Sequence, residues 1–311
     1  LEQITWAEKT LGFDAVYLTE HHFAEDGYSP SLFTIAGAIS QRTEKMLIGT
    51  NLVQLPLHHP LRIAEEALTV DILSGGRFRL GVGNGYRGVE FEALGTSLRY
   101  RKARVEEGVP ILRKAFAGEP FAHEGKHFTF PEVLVTPLPI RPGGPGVWMG
   151  GQSEPAIDRA ARLADGFLAV SDEDVRRYLE ALERNGRTLE EAPINRVYWG
   201  IVAEDPEREL ATVGKEILYQ VNKYIEWGFL GDVAPYDDPR KVIEDGTYRI
   251  WDGDEAVRDF TEHHRTGVSE FQLFAALPGE DLDNAAERVE FVANKVIPRV
   301  REAIGEDAVA G

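Results

Sequence analysis

Short apolar runs alternate with amphipathic stretches of helical length along this chain. The runs are continuous or rich in β-branched and aromatic residues, which predicts strands buried on both faces. The strands are predicted at 14–19, 46–54, 78–83, 147–150, 166–170, 196–203 and 270–276. Apolar residues three to four positions apart predict helices at 31–42, 60–73, 99–117, 154–164, 172–185, 206–228, 254–266 and 280–304.

Strict alternation of strands and helices predicts an α/β fold in which a parallel sheet is covered by helices. The seven predicted strands follow a helical pattern at Ile4, Ala7 and Leu11, so one strand is lacking for a (β/α)8 barrel of the TIM type. We expect that strand to precede Leu1. Barrels of this length are commonly a single domain, and residues 1–311 are predicted to form one.

Two segments interrupt the alternation. Residues 118–146 contain six prolines and cannot form one helix, so they are predicted as an excursion with short extended pieces. Residues 229–252 are polar, contain Pro and Gly and are weakly periodic. In a barrel, such a loop on the catalytic face predicts a mobile lid.

Composition and charge restrict the function. The longest apolar runs, such as 167–170, are too short to span a bilayer, and the chain opens without a basic, apolar signal segment, which predicts a cytoplasmic protein. A net charge of −18 disfavours binding to nucleic acid or to anionic membranes. Because the chain has no cysteine, its chemistry must come from histidines, carboxylates, hydroxyls or a cofactor.

The most reactive side chains follow the strand predicted at 14–19. Glu20, His21 and His22 stand where the catalytic groups of a barrel collect, and they supply acid–base chemistry at neutral pH. The alternative is a pair of packed or capping histidines. No metal site is predicted, because adjacent residues of a strand point to opposite faces and no HExxH spacing occurs.

Two glycine-containing segments could approach a ligand. Residues 81–86 (GVGNGY) follow a strand but lack the third glycine of the dinucleotide fingerprint, so a tight turn explains them equally well. Residues 150–156 (GGQSEPA) lead into a helix with Ser153 as a possible N-cap. Free amides at Gln152, Ser153 and Ala156 would form an anion cradle there, although an ordinary capped helix fits the same residues.

Taken together, these segments resemble the bacterial luciferase-like family of flavin-dependent monooxygenases. The resemblance rests on EHHF, HHPLRIAEE and SGGRFRLGVGNG within 19–95, and it continues at 150–166 and 291–300. It implies a (β/α)8 barrel that binds FMN at the carboxyl ends of its strands. His21 would be the catalytic acid–base group with Glu20 beside it, and helix 60–73, with His59 before it and Glu65 in it, would form a homodimer interface.

The same resemblance assigns the cofactor residues. Asn51 and Leu52 match a dipeptide beside the flavin ring that is often joined by a cis bond. The backbone at Gly151, Gln152, Ser153 and Ala156 matches the phosphate site. Gly83, Asn84 and Tyr86 match further cofactor contacts, but Asn84 stands where luciferase has an arginine and Gly83 where it has a reactive cysteine.

These matches predict an enzyme that uses reduced FMN, delivered by a separate flavin reductase, and dioxygen to oxidise a small organic substrate. One alternative is a deazaflavin-dependent dehydrogenase of the same superfamily. The segment EHHF disfavours it, because those relatives more often carry an acidic residue next to a histidine there. Another alternative is a non-catalytic flavin-binding protein.

Overall fold

The computed structural model describes residues 1–305, which fall into two compact units. The first comprises 1–9 and 14–194, and the second comprises 10–13 and the chain from Asn195 onward. No helix in these 305 residues is both long and apolar enough to cross a membrane. The prediction of one domain over the whole chain stays a prediction.

The first unit is built on a parallel sheet whose strands come from buried apolar segments. Neighbouring strands follow the order β1-β2-β4-β7-β8, with the short strand β3 paired to β4. Gly81 lies in β4 directly against the carbonyl oxygen of Thr50, where a Cβ would come within 1.9 Å of that oxygen. The strands are Ala15–Leu18 (β1), Leu47–Thr50 (β2), Val53–Gln54 (β3), Phe78–Gly83 (β4), Gly146–Gly150 (β7) and Gly166–Ala169 (β8).

Most helices of this unit connect strands and bury an apolar face, whereas the first helix, Glu2–Lys9, precedes the first strand and has no buried residue. In the longest, Arg101–Phe116 (α5), the buried residues recur at helical spacing from Val105 to Phe116. The helices of this unit are Glu2–Lys9 (α1), Leu32–Ser40 (α2), Pro60–Leu73 (α3), Gly88–Ala93 (α4), Arg101–Phe116 (α5), Glu154–Leu163 (α6) and Asp172–Arg184 (α7).

The second unit packs helices around short strands. Strand β9 (Ile194–Val197) runs into it from the first unit, strand β12 (Val268–Gln272) is its sheet neighbour, and Gly200–Val202 (β10) pairs in parallel with Arg249–Trp251 (β11). The helices are Pro206–Glu226 (α8), Pro239–Glu244 (α9), Gly253–Arg265 (α10), Leu282–Phe291 (α11) and Ile297–Ile304 (α12).

Three predicted elements are divided in the structure. The strand predicted at 46–54 is interrupted by the cis peptide bond between Asn51 and Leu52, and the strand predicted at 196–203 is interrupted at Tyr198–Trp199. The helix predicted at 280–304 is found from Leu282 to Ile304, and a π-helical turn at Val292–Val296 divides it into α11 and α12. Pro298 in the first turn of α12 has no amide to continue a helix begun earlier.

The two irregular segments contain more structure than a loop. Within 118–146, strands Phe121–Glu124 (β5) and Thr129–Val133 (β6) form an antiparallel hairpin, which confirms the predicted short extended pieces. Within 229–252, the prediction of a continuous loop is wrong for the second half, since α9 and β11 lie there. Asp238 caps α9 by accepting a hydrogen bond from the amide of Arg240 at 2.9 Å. The role of this segment as a lid stays a prediction.

Candidate functional site

The loop after β1 carries three reactive side chains into the first unit. Glu20 and His21 are buried, with 4% and 3% of their surface exposed, and His22 is partly buried. Phe23 follows at φ 55°, the one left-handed residue other than glycine among residues 1–305. A bulky residue in this region marks a backbone held by its surroundings, and functional sites often contain such residues.

His21 is held between a carboxylate and a phenol. Its Nδ1 lies 3.1 Å from Oε1 of Glu90, and its Nε2 lies 3.3 Å from the hydroxyl of Tyr86. The rings of Tyr28 and Tyr86 meet the imidazole edge to face, at centroid distances of 5.0 and 5.7 Å. A carboxylate on Nδ1 fixes which imidazole nitrogen carries the proton, so Nε2 presents its lone pair.

Glu90 is anchored from three sides on helix α4. Its Oε1 accepts hydrogen bonds from the amide of His22 at 2.9 Å and from the guanidinium of Arg87 at 2.9 Å, besides contacting His21. Burial raises the pKa of Glu90, but the hydrogen bonds from His21 and from the His22 amide outweigh it and lower the pKa. Burial also raises the pKa of Tyr86, which therefore keeps its proton. His21 thus faces an ionised carboxylate and a phenol that donates.

Glu20 has its own partners, His22, His58 and Gln54. Its Oε1 lies 3.1 Å from Nε2 of His22 and 2.7 Å from Nε2 of His58, and its Oε2 accepts from the amide of Gln54. Burial raises the pKa of Glu20, but the hydrogen bonds from His22 and His58 lower it to about 2. The hydrogen bond to Glu20 raises the pKa of His22. The catalytic role predicted for Glu20 stays a prediction.

Leu52 closes the carboxyl ends of two neighbouring strands. A Cβ added to Gly83 would meet its side chain at 2.6 Å, and one added to Gly150 would meet it at 2.7 Å. A side chain at either position would therefore displace the side chain of Leu52. The bond between Asn51 and Leu52 is cis, as the family resemblance implied.

The segment before helix α6 presents free backbone donors. Ser153 is the N-cap residue, its side chain makes no capping hydrogen bond, and Pro155 lies in the first turn. In residues 1–305, the amides of Gln152, Ser153 and Glu154 donate to no other group. The expectation of a free amide at Ala156 is wrong, because it donates to the carbonyl oxygen of Ser153 at 2.8 Å.

Asn84 follows the carboxyl end of β4, and these amides follow the carboxyl end of its parallel neighbour β7. The strands pair in the register Val82 to Met149, and an extension of that register beyond both strand ends would set Asn84 opposite Gly151. Its Oδ1 is buried and has no hydrogen-bond partner in the described part of the chain. A buried polar atom without a partner beside free amides fits a polar ligand at this place.

Sequence reasoning missed Glu90, Arg87 and His58. Glu90 could have been suspected from its position, because an acidic residue directly before the apolar Phe91 in a short helix faces the interior as readily as the solvent. His58 precedes a helix that begins with Pro60, a position that allows several loop conformations, and nothing in its neighbours indicates that it reaches Glu20.

The chain is similar in sequence to known flavin enzymes. A family model described as luciferase-like monooxygenase matches residues 1–270. The alkanal monooxygenase alpha chain of Photorhabdus luminescens is 31% identical over 151 residues, 49% of this chain and 42% of that protein. The oxygenase component of the flavin-dependent trigonelline monooxygenase of Acinetobacter baylyi is 26% identical, over 54% of this chain and 48% of that protein. The chain spans about half the length of the curated relatives it matches.

Solved structures share the fold over nearly the whole chain. A monooxygenase from Streptomyces bottropensis has a TM-score of 0.81 at 22% identity, covering 96% of this chain and 92% of that one. The oxygenating constituent of 3,6-diketocamphane monooxygenase from Pseudomonas putida, in complex with FMN, scores 0.75 at 18% identity, with coverage of 96% and 92%. A coenzyme F420-dependent secondary alcohol dehydrogenase scores 0.75 at 19% identity, with coverage of 96% and 94%. This likeness confirms the predicted (β/α)8 fold class.

Proposed function

The chain belongs to the luciferase-like monooxygenase family, and we propose that it is the oxygenase component of a two-component system that uses reduced FMN and dioxygen. The observation that carries this proposal is the arrangement at His21, whose Nδ1 contacts Glu90 and whose Nε2 meets the Tyr86 hydroxyl. A buried imidazole with an ionised carboxylate at its other nitrogen can accept a proton, because the carboxylate stabilises the imidazolium that forms.

The residues at the strand ends fit FMN. The free amides of Gln152, Ser153 and Glu154 and the amino end of α6 would hold its phosphate, as helix amino ends do for anions. Asn84, whose Oδ1 is buried and has no partner in the described part of the chain, follows the end of the neighbouring strand β4. When bound, reduced FMN would supply two electrons, so that one atom of dioxygen enters the substrate and the other leaves as water.

The chain's own groups would move protons and exclude water. His21 accepts a proton at Nε2, and the negative charge of Glu90 stabilises the imidazolium that forms. Arg87 holds Glu90 in place through its 2.9 Å hydrogen bond. The rings of Tyr28 and Tyr86 shield the imidazole from solvent.

The proposal extends to partners and location by the same family relationship. A reductase that supplies reduced FMN is expected, because relatives are named as the oxygenase component or the oxygenating constituent of their systems. A small organic molecule would be the substrate, a homodimer the assembly and the cytoplasm the location.

An anaerobic titration tests the choice of cofactor. The full chain is titrated with reduced FMN and, separately, with reduced coenzyme F420, and air is then admitted. We expect saturable binding of reduced FMN and oxygen uptake that depends on the protein. Binding of F420 without oxygen uptake would instead favour the dehydrogenase, whose fold this chain shares at a TM-score of 0.75. Binding of neither cofactor would overturn both.

A further inference from the structure

A second group of reactive side chains lies beside the His21 site and is joined to it through the backbone amide of His22, which donates to Glu90. Glu20, His22 and His58 each direct one potential ligand atom to a common point, and these three atoms lie within 4.8 Å of one another. It is the one such group of three found in residues 1–305. The side chain of His21 contacts Glu90 and that of His22 contacts Glu20, so the two adjacent histidines have different carboxylate partners.

The ligand types and their anchoring suit a metal ion. Two imidazole nitrogens with one carboxylate oxygen form a common ligand set for Zn²⁺ and similar divalent ions, with water completing the coordination. The Gln54 amide occupies Oε2 of Glu20 and leaves Oε1 directed at both rings. Such a hydrogen bond from the backbone fixes a ligating carboxylate.

The distances require only small side-chain movements. Atoms bound tetrahedrally to one Zn²⁺ at about 2.1 Å stand about 3.4 Å apart. The ligand atoms of the group lie within 4.8 Å of one another, so closing the widest separation needs side-chain shifts that total at most about 1.4 Å. His22 and His58 keep 14% and 28% of their side-chain surface exposed, which gives an ion and its waters access from solvent.

We propose that Glu20, His22 and His58 bind one divalent transition-metal ion of the Zn²⁺ type. The ion takes the Nε2 lone pairs of both histidines and one lone pair of Glu20 Oε1. Each ring then keeps its single proton on Nδ1, and any proton held on Nε2 beyond that is released to solvent. The ion would join the loop after β1 to the segment before α3, and so brace the backbone that carries His21.

Metal titration of the whole chain tests the proposal. After treatment with a chelator and its removal, the protein is titrated with Zn²⁺ by calorimetry and with Co²⁺ by visible absorption. We expect one equivalent to bind, with Co²⁺ bands typical of mixed nitrogen and oxygen ligands, and a melting temperature that rises with Zn²⁺ concentration. His58→Ala should weaken binding at least about tenfold, since even the loss of an outer-shell partner has that effect.

Two further variants keep the result interpretable. Glu20→Gln preserves the shape of the side chain while removing its charge, and it should also weaken binding. His123→Ala is the matched control, because His123 pairs with Glu107 outside the group and its loss should leave binding unchanged. Absence of stoichiometric binding, or equal binding by wild type and His58→Ala, would show that the group is only a hydrogen-bonded cluster. Neither result bears on FMN binding, since His21 and Glu90 are not ligands.

Discussion

At the scale of single residues, the loop after β1 directs two neighbouring histidines to two different carboxylates. His21 faces Glu90 and Tyr86, whereas His22 faces Glu20. Each carboxylate is buried and each has a lowered pKa, because hydrogen-bond donors surround it. Both carboxylates therefore stay ionised at neutral pH, so in the proposed reaction the histidines would be the groups that exchange protons.

His21→Ala should lower turnover by about 10²–10⁴, the usual contribution of a positioned acid–base group. The proposed phosphate site consists of backbone amides far along the chain, so FMN binding should stay within several-fold of wild type. Steady-state turnover and a flavin titration on the same preparation measure both effects. Unchanged turnover would assign His21 to packing.

Glu90→Gln should also lower turnover by about 10²–10⁴, because the amide side chain does not fix the imidazole proton on Nδ1 as a carboxylate does. Its effect should fall on kcat more than on KM, and Glu90→Asp should recover part of the loss. The matched control is Glu92→Gln on the exposed side of the same helix. If Glu90→Gln and Glu92→Gln behave alike, Glu90 has no positioning role.

At the scale of elements, the sequence predicts the pieces that depend on local apolar patterns. Strand β4 and helices α3, α5 and α7 are found where periodicity places them, because each buries a continuous or helically spaced apolar face. Strand β11 escaped prediction. It has only three residues, and its partner β10 lies nearly fifty residues earlier in the chain. No local sequence pattern therefore indicates this pairing.

The candidate site likewise combines residues that the sequence predicts with residues that it does not. His21 stood out because it follows a strand, whereas Glu90 joins it from 69 residues away and His58 joins Glu20 from 38 residues away. Contacts of this length depend on how the elements pack, which a single sequence does not reveal. The amide of Ala156 was misassigned for a local reason: the first turn of α6 is tight, and its amide bonds back to Ser153.

The β5–β6 hairpin offers a test at this scale, because one carboxylate fastens it to α5. Glu107 accepts from the amides of His127 and Phe128 at 3.0 and 2.9 Å, and it lies 3.0 Å from Nε2 of His123. Glu107→Ala leaves these donors without a partner and should destabilise the hairpin by about 1–3 kcal/mol. Hydrogen exchange at both amides should accelerate, while Glu124→Gln on the exposed side should change nothing.

A fall in pH should weaken the same contact between Glu107 and the hairpin. Burial raises the pKa of Glu107, but the hydrogen bonds from His123 and from the two amides lower it overall. A carboxyl whose folded pKa lies below its unfolded value stabilises the fold above the unfolded value, near 4.5. That stabilisation is lost as the pH falls through the folded pKa. Protection of the two amides, taken relative to the intrinsic exchange rate at each pH, should therefore fall below about pH 4.5 in wild type and depend less on pH in Glu107→Ala.

At the scale of the whole molecule, helix α3 bears on the expected assembly. Ile72 and Leu73 at its end expose 38% and 47% of their surface, and Arg62 pairs with Glu65 and Glu66 on its exposed face. If this face meets a second copy, Ile72→Glu with Leu73→Glu should give a monomer, because two charges would be buried without partners.

Light scattering at micromolar concentration measures the mass. Leu134→Glu is the control, because Leu134 lies outside α3 and 45% of its surface is exposed. A monomeric wild type would contradict the prediction.

The net charge of −18 also bears on the cofactor, since it repels the FMN phosphate at long range. In the proposed site, the phosphate would be favoured locally by the free amides of Gln152, Ser153 and Glu154 and by a helix dipole that contributes about 0.3–1 kcal/mol. Riboflavin, which has no phosphate, should therefore bind distinctly more weakly than FMN.

Asn84→Arg tests this local account of phosphate binding. It would place a cation beside Gly151 and should tighten FMN by about 1.5–3 kcal/mol, roughly 10- to 100-fold in Kd, if the guanidinium reaches the phosphate. Riboflavin binding should not change, because the new contact is to the phosphate alone. Leu134→Arg adds the same charge at an exposed residue elsewhere and separates the local contact from the overall charge. Flavin titrations on the three proteins with both ligands give the comparison. Equal binding of riboflavin and FMN by wild type would mean that residues 151–156 only begin a helix. An equal gain in FMN affinity from Asn84→Arg and from Leu134→Arg would mean that net charge alone limits FMN binding.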